Sequence, residues 1–239
     1  MAAIGSSPSM RRTLRVLAAF LAYPDEAQRV HLAELRVVLR DEGALSQSRR
    51  SELDALVDRL RDRAPLEAES DYVELFDRGR ATSLHLFEHV HGDSRERGPA
   101  MVDLGQTYEK AGLVLAEGTL PDYLPVVLEF ASTQPPREAR AFLAEMAHIL
   151  DAIFGALRQR ASPYAAVLGA VLDLAGEKAG AVKPAEEEAL DACWAEPPAF
   201  DGCSSRGQAQ PGAPQPMRIV RRAGPAAAPA HPSHPGGAR

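Results

Sequence analysis

Cysteine is scarce in this 239-residue sequence and an excess of basic residues is lacking, and each of these features excludes a class of protein. The two cysteines, Cys193 and Cys203, lie beside a Pro-rich stretch at no recognised metal spacing. Neither a disulfide framework nor a zinc ribbon is therefore indicated, and a reducing cytosol fits this cysteine usage. Asp and Glu outnumber Lys and Arg by 33 to 27, which gives a formal net charge of -6. Because nucleic-acid binders concentrate Lys and Arg, we expect no nucleic-acid partner.

Long apolar runs are missing as well. No stretch of the sequence reaches the roughly 20 apolar residues that a membrane-spanning helix needs. Near the N-terminus, Arg11 and Arg12 followed by VLAAFLA are similar to a twin-arginine export signal. That apolar run is short, Arg15 interrupts it, and no small-residue cleavage site follows. The segment therefore predicts an amphipathic first helix, and we expect a cytoplasmic protein without a membrane span.

Helical spacing of apolar residues is abundant, whereas strand signals are nearly absent. The helical pattern recurs from residue 9 to about residue 195, with Pro and Gly where helices should begin and end. Residues 1–196 are therefore predicted to form a single all-α domain, a bundle of about ten helices. Residues 197–239 are too rich in Pro, Gly, Ala and Ser to bury a core, which predicts a disordered tail.

Individual Pro, Gly, Ser and Thr residues predict where several helices begin or end. The predicted boundaries are a second helix from about Asp25 to Glu42 that stops at Gly43, a third ending before Pro65, a fourth near 71–78, a fifth from Thr82 or Ser83 to about Gly92, a helix begun by Pro121, one long helix from Pro136 to about Leu157, and a last helix opened by Pro184.

One motif could carry metal chemistry, the H-x-x-E-H spacing of His85, Glu88 and His89. In inverted zinc proteases, two histidines one helical turn apart bind the metal and the glutamate serves as base, so a zinc-dependent hydrolase is one interpretation. Helices that carry several His and Glu produce such a match by chance, and we favour a polar helix face beside buried apolar residues. No G-x-S-x-G, phosphate-binding loop or dinucleotide fingerprint supports another class of enzyme.

Two strings of sequence resemble a known family. The first runs from Tyr72 to Leu104, YVELFDRGRATSLHLFEHVHGDSRERGPAMVDL, and the second from Leu120 to Ser132, LPDYLPVVLEFAS. A closing segment near Asp191, DACWAEPPAF, adds to them. Together they resemble the nitrate reductase delta-subunit family, the NarJ-type molybdenum-cofactor assembly chaperones within the wider group of redox-enzyme maturation chaperones. The resemblance covers the chain up to about residue 200.

The resemblance implies an all-α chaperone that is not an enzyme. Its expected client is the catalytic alpha subunit of respiratory nitrate reductase, whose N-terminal segment it would bind in the cytoplasm. Binding would hold the apo-subunit ready for insertion of the molybdenum guanine dinucleotide cofactor before membrane docking. The resemblance also allows molybdenum-cofactor biosynthesis proteins as partners, and the chain itself is expected to hold no cofactor and no metal.

Nine residues in these strings are candidates for contact with the client. They are Tyr72, Asp77, Arg78, Glu88, His89, Arg95, Asp122, Tyr123 and Glu129. An acidic helical domain with an apolar groove rimmed by Asp and Glu suits a basic amphipathic helix. Structural roles remain open: Asp77 and Arg78 could close a helix terminus, Tyr72 could be core, and Asp122 could cap the helix begun by Pro121. The wider group usually has a histidine at the position of Tyr123, and this departure weakens any claim that the position does proton chemistry.

Overall fold

Helices form nearly all of the regular structure in the computed structural model, which describes residues 9–92 and 94–177. The all-α fold predicted from the sequence is confirmed. The predicted helix at Pro184 and the predicted tail 197–239 lie outside the described residues. Within the described part there are ten α-helices, a π-helix and a 3₁₀ turn: α1 (Arg11–Leu21), α2 (Glu26–Glu42), α3 (Gln47–Asp62), α4 (Pro65–Tyr72), the π-helix (Val73–Asp77), the 3₁₀ turn (Arg80–Thr82), α5 (Leu86–Val90), α6 (Arg97–Lys110), α7 (Leu124–Thr133), α8 (Pro136–Glu145), α9 (Ala147–Gln159) and α10 (Ala165–Ala175).

The core is built around α1 and α10. Helix α1 packs against α7, α2 and α10, and α10 also contacts α9, α8 and α3. Nearly every side chain of α10 is buried, as expected for a helix that other helices surround. The spacing along the first helix predicted one apolar face, and its members are all buried: Met10, Leu14, Leu17, Ala18 and Leu21. Among the described residues, no helix has the length and apolar character that crossing a bilayer requires.

Both ends of α2, and the end of α3 before Pro65, lie where the local sequence predicts them. The carboxylate of Asp25, just before α2, accepts the backbone N–H of Gln28 at 2.8 Å. Gly43 follows α2 with a φ of 65°, a left-handed conformation that glycine adopts without strain. Ser46 caps α3 through its hydroxyl in the same way. These boundaries depend on single side chains and their immediate neighbours, which is why the sequence alone shows them.

Between α3 and α5 the structure differs from the predicted boundaries. Pro65 occupies the first position of α4, where its missing N–H is not needed, and α4 runs directly into the π-helix. The predicted helix near 71–78 is therefore the end of a longer one. The helix predicted from Thr82 or Ser83 begins only at Leu86, because Thr82 belongs to the 3₁₀ turn and the Ser83 hydroxyl accepts the N–H of His85 in the turn before α5. Thr82 donates to the carbonyl of Leu75, and Ser83 donates to a carboxylate of α5.

The long helix predicted after Pro136 is two helices, α8 and α9. Met146 separates them with φ -98° and ψ 3°, which interrupts the helical hydrogen-bond ladder. Apolar residues keep their helical spacing across the break, since Leu143, Ile149 and Leu150 are all buried. Periodicity alone therefore gives no sign of the interruption.

Hydrogen bonds to Glu42 connect the start of α1 to the end of α2. Its side chain is only 4% exposed. The carboxylate accepts the backbone N–H groups of Arg12 and Thr13 and the hydroxyl of Ser9. These N–H groups belong to the first turn of α1, which Met10 does not cap with its side chain. Burial alone would raise the pKa of Glu42, but the hydrogen bonds from Thr13, Ser9 and Arg12 outweigh burial and lower it.

We predict that Glu42→Gln lowers the free energy of unfolding by about 1–2 kcal/mol, because an amide is a weaker acceptor for the two helix N–H groups. The folded-state pKa lies below the ordinary value of 4.5. The contribution of Glu42 is therefore present above that value and is lost as the pH falls through the folded-state pKa. Urea unfolding at pH 7 and pH 3 measures both effects. Glu34→Gln, whose side chain is 79% exposed on α2, is the control, and equal losses in the two variants would contradict this role.

Candidate functional site

Two segments that are distant in sequence meet beside α5. His85 and Tyr123 lie opposite each other in an isolated antiparallel bridge. The N–H of Leu124 donates to the carbonyl of Leu84 at 2.9 Å, and a second backbone bond of 3.1 Å flanks the pair on the other side. The helix predicted to begin at Pro121 begins instead at Leu124. The preceding residues cannot be helical because they form this contact.

Asp122 is fully buried, although removing a carboxylate from water is costly. One carboxylate oxygen accepts the backbone N–H of Phe87 at 3.1 Å, and the other lies 3.3 Å from Nδ1 of His85. The guanidinium of Arg97 lies 3.9 Å from the first oxygen. Phe87 is in the first turn of α5, so Asp122 caps α5 from a distant part of the chain. The expectation that Asp122 caps the helix following Pro121 is therefore wrong.

The charge of His85 is coupled to this carboxylate. The hydrogen bond with Asp122 raises the pKa of the His85 imidazole, and it outweighs partial burial, which lowers it. The imidazole also lies against Tyr123, with ring centroids 5.3 Å apart and ring planes 31° apart. When His85 is protonated, the buried carboxylate has two cationic neighbours, the imidazolium and the Arg97 guanidinium.

A second carboxylate, Glu88, extends the network toward solvent. The hydroxyl of Ser83 donates to Glu88 at 2.5 Å, and Arg97 donates to it at 3.3 Å. Arg97 therefore bridges Glu88 and Asp122. We name this cluster the Asp122 junction, and its members are Ser83, His85, Glu88, Arg97, Asp122 and Tyr123.

The two histidines of the H-x-x-E-H motif lie in different surroundings. His85 precedes α5, whereas His89 lies within it, and Nε2 of His89 is 2.9 Å from the carbonyl oxygen of Ser83. The zinc interpretation assumed two imidazoles on one helical turn, and that assumption is wrong. In residues 9–92 and 94–177, no three His, Cys, Asp or Glu side chains are grouped so that they could hold a metal ion.

Two tyrosines connect the junction to the core. The hydroxyl of Tyr72 donates to the carbonyl of Leu21, the last residue of α1, at 2.7 Å and lies 3.2 Å from the hydroxyl of Tyr123. Burial, with a smaller contribution from the neighbouring Tyr123, raises the pKa of Tyr72 far above its ordinary value. The Tyr72 ring also packs against Phe76 and Tyr164. Tyr72 is thus a neutral, hydrogen-bonded core residue.

The nine sequence candidates separate into two sets. The structure brings together, at the junction or directly beside it, Tyr72, Glu88, His89, Asp122 and Tyr123. Outside it, with exposed side chains, lie Asp77, Arg78, Arg95 and Glu129. Arg78 forms an ion pair of 2.9 Å with Glu74, one helical turn away.

Three residues of the junction are absent from the candidates: Ser83, His85 and Arg97. All three lie in the string from Tyr72 to Leu104 that carries the family resemblance. Membership of that string is the signal in the sequence that could have identified them. Their roles depend on a contact with residues 122 and 123, and no local pattern predicts that contact.

We predict that His85 stabilises the fold most at low pH. Because its folded-state pKa is raised above the ordinary value of 6.5, the stabilisation is complete below that value and is lost as the pH rises through the folded-state pKa. The difference in free energy of unfolding between the wild type and His85→Gln should therefore shrink from pH 6 to pH 9. Urea unfolding across this range measures it, with the exposed His148→Gln as control. A difference that stays constant with pH would contradict the His85–Asp122 pairing.

The segment of the chain that contains the Asp122 junction is matched by known proteins. The family model of the nitrate reductase delta subunit matches residues 42–169. The nitrate reductase molybdenum cofactor assembly chaperone NarJ of Escherichia coli K12 is 41% identical over an alignment of 193 residues that covers 77% of this chain and 82% of that protein. The "Probable nitrate reductase molybdenum cofactor assembly chaperone NarW" of the same strain is 40% identical over 194 residues, covering 77% of this chain and 80% of its own. The corresponding NarJ protein of Bacillus subtilis is 31% identical over 160 residues, covering 67% and 86%.

These relatives are named as chaperones, and none of the three names describes an enzyme. The alternative of a zinc-dependent hydrolase is overturned by this relationship and by the separation of the two histidines. The family resemblance found in the sequence is confirmed over more than half of the chain. This chain therefore belongs to the nitrate reductase delta-subunit family, the NarJ-type assembly chaperones.

Proposed function

We propose that this chain is a chaperone that binds the N-terminal segment of the apo catalytic subunit of respiratory nitrate reductase. It does so in the cytoplasm, before the enzyme docks at the membrane, and it supports insertion of the molybdenum cofactor, which the client retains. The observation that carries the proposal is 41% identity over 193 residues to a protein named as a nitrate reductase molybdenum cofactor assembly chaperone. Molybdenum-cofactor biosynthesis proteins are further proposed partners.

The proposed activity belongs to the helical domain predicted over residues 1–196. The family match at 42–169 lies entirely inside these bounds and includes all six residues of the Asp122 junction. The predicted tail, 197–239, lies outside that match.

Exposure divides the nine candidate residues by their proposed role. Tyr72 and Asp122 are buried, so they act by holding the surface in place and not by touching the client. The half-buried candidates Glu88, His89 and Tyr123 lie at the edge of the junction. Direct contact with the client is proposed for the exposed candidates, Asp77, Arg78, Arg95 and Glu129.

A chaperone must release its client, so its binding energy has to come from contacts that can exchange. Apolar contact between an amphipathic helix and a groove supplies affinity, while exposed charges select the partner and its orientation. Exposed ion pairs add little free energy and are screened by salt. The net charge of -6 favours a basic client segment.

We predict that a synthetic peptide of the client's N-terminal segment binds the full chain and that salt weakens the affinity without abolishing it. Raising the ionic strength from 0.1 M to 1 M shortens the Debye length from about 10 Å to about 3 Å, which screens exposed pairs but leaves apolar contacts intact. Isothermal titration calorimetry at both salt concentrations measures this, with a scrambled peptide of the same composition as control. The proposal fails if the folded chain binds no peptide at either concentration.

A further inference from the structure

A groove of about 260 Å³ lies between the loop after α1 and the outer face of α4 and the π-helix. The residues on the helical side recur every three or four positions and so form one stripe. From Leu66 to Arg78 this stripe is about 18 Å long at the α-helical rise of about 1.5 Å per residue, enough for about three turns of a second helix. We name this the acidic groove, and its lining residues are Tyr23, Leu66, Glu69, Ser70, Val73, Glu74 and Arg78.

The acidic groove has an apolar strip that the fold leaves open to solvent. Leu66 is 79% exposed and Tyr23 is 43% exposed, and Val73 continues the strip. Leu66 is the second residue of α4, whose start is already set by Pro65, so folding does not require an apolar side chain there. A single exposed leucine is ordinary on a protein surface. Three apolar side chains that line one groove offer a contact surface.

Two carboxylates, Glu69 and Glu74, line the groove beside this apolar strip. The hydroxyl of Tyr23 donates to Glu69 at 3.1 Å. Partial burial raises the pKa of Tyr23, and the hydrogen bond to Glu69 and the negative charges of Glu69 and Asp77 raise it further. Among the described residues that line the groove, Arg78 alone is basic, and it pairs with Glu74 at 2.9 Å. The carboxylates in and next to the groove, Glu69, Glu74 and Asp77, thus outnumber its one basic side chain, Arg78, which is already paired.

A larger groove beside α7 lacks this preference for one sign of charge. It encloses about 420 Å³, and Val114 in its lining is 90% exposed. Its charged lining residues, within the described chain, are Arg15 and Glu129, one of each sign. A basic segment would gain little electrostatic discrimination there, so apolar exposure alone does not select a partner for that groove.

We propose that the acidic groove is the docking surface for the basic amphipathic part of the client segment. The apolar side chains of the segment cover Leu66, Tyr23 and Val73, and its Lys or Arg side chains face Glu69 and Asp77. The proposal rests on the proposed function and adds to it the place of binding and the chemistry of the partner.

The acidic groove is in contact with the Asp122 junction through aromatic rings. The ring of Tyr23 meets Tyr72 edge-on at a centroid distance of 5.5 Å. The hydroxyl of Tyr72 in turn lies 3.2 Å from that of Tyr123. A client helix bound in the groove would therefore contact Tyr23, whose neighbour Tyr72 lies next to Tyr123 of the junction.

The test compares two exposed apolar residues by calorimetry with the client peptide. Leu66→Ser should weaken binding about tenfold, because a leucine side chain that becomes covered contributes at least that factor. Val30→Ser, at a residue 68% exposed on α2, should bind like the wild type. Circular dichroism melts of both variants should match the wild type, since neither side chain is buried in the fold.

A second arm tests the charge of the groove. The double variant Glu69→Gln and Asp77→Asn should bind several-fold more weakly than the wild type at 0.1 M salt and nearly as well as the wild type at 1 M. Glutamine at position 69 still accepts the hydrogen bond from Tyr23. A wild-type chain that binds the peptide while Leu66→Ser binds it equally well overturns the groove and leaves the proposed function standing. An equal loss of affinity in Leu66→Ser and Val30→Ser also overturns the groove and leaves the proposed function standing. No binding by the wild type overturns both proposals.

Discussion

The buried carboxylate of Asp122 is the interaction on which the junction depends. An ionised carboxylate can leave water only where hydrogen bonds and opposite charge replace its hydration. Here the N–H of Phe87, the imidazole of His85 and the guanidinium of Arg97 do so. These groups come from α5, from the residue before it and from α6. One side chain just before α7 therefore fixes the relative positions of three helices.

Several irregular backbone elements lie close to the junction. A π-helix and a 3₁₀ turn precede the residues that meet Asp122 and Tyr123, and an isolated antiparallel bridge forms the meeting point itself. π-Helical turns are frequent at functional sites because they redirect the side chains that follow. Gly79 is required here by close packing, since a Cβ at this position would lie 2.6 Å from the hydroxyl oxygen of Thr82. The segment from Tyr72 to Leu104, which carries the family resemblance, thus specifies an interruption of the helices as well as a set of polar side chains.

The sequence predicted the all-α fold and the ends of α2, because apolar spacing and single capping residues such as Asp25 act locally. It failed where a local signal was overridden by a contact with a distant residue. Ser83 suits a helix start, but its hydroxyl accepts the N–H of His85 in the turn before α5 and donates to Glu88. Pro121 also suits a helix start but lies in the turn before one. Five of the nine site candidates meet in space because the family resemblance selected their segments. Arg97 was missed, since its two carboxylate partners come together only in the folded chain.

The most direct test of this account is the free energy of unfolding of Asp122→Asn, measured by urea denaturation at pH 6. Asparagine keeps the size of the side chain and one acceptor for the N–H of Phe87, but it removes the charge that His85 and Arg97 face. We expect a loss of about 2–3 kcal/mol, in the range of hydrogen bonds to charged groups, whereas Asp103→Asn on the exposed side of α6 should cost little. If Asp122→Asn is as stable as the wild type to within about 0.5 kcal/mol, the buried carboxylate does not hold the junction together and the account is wrong.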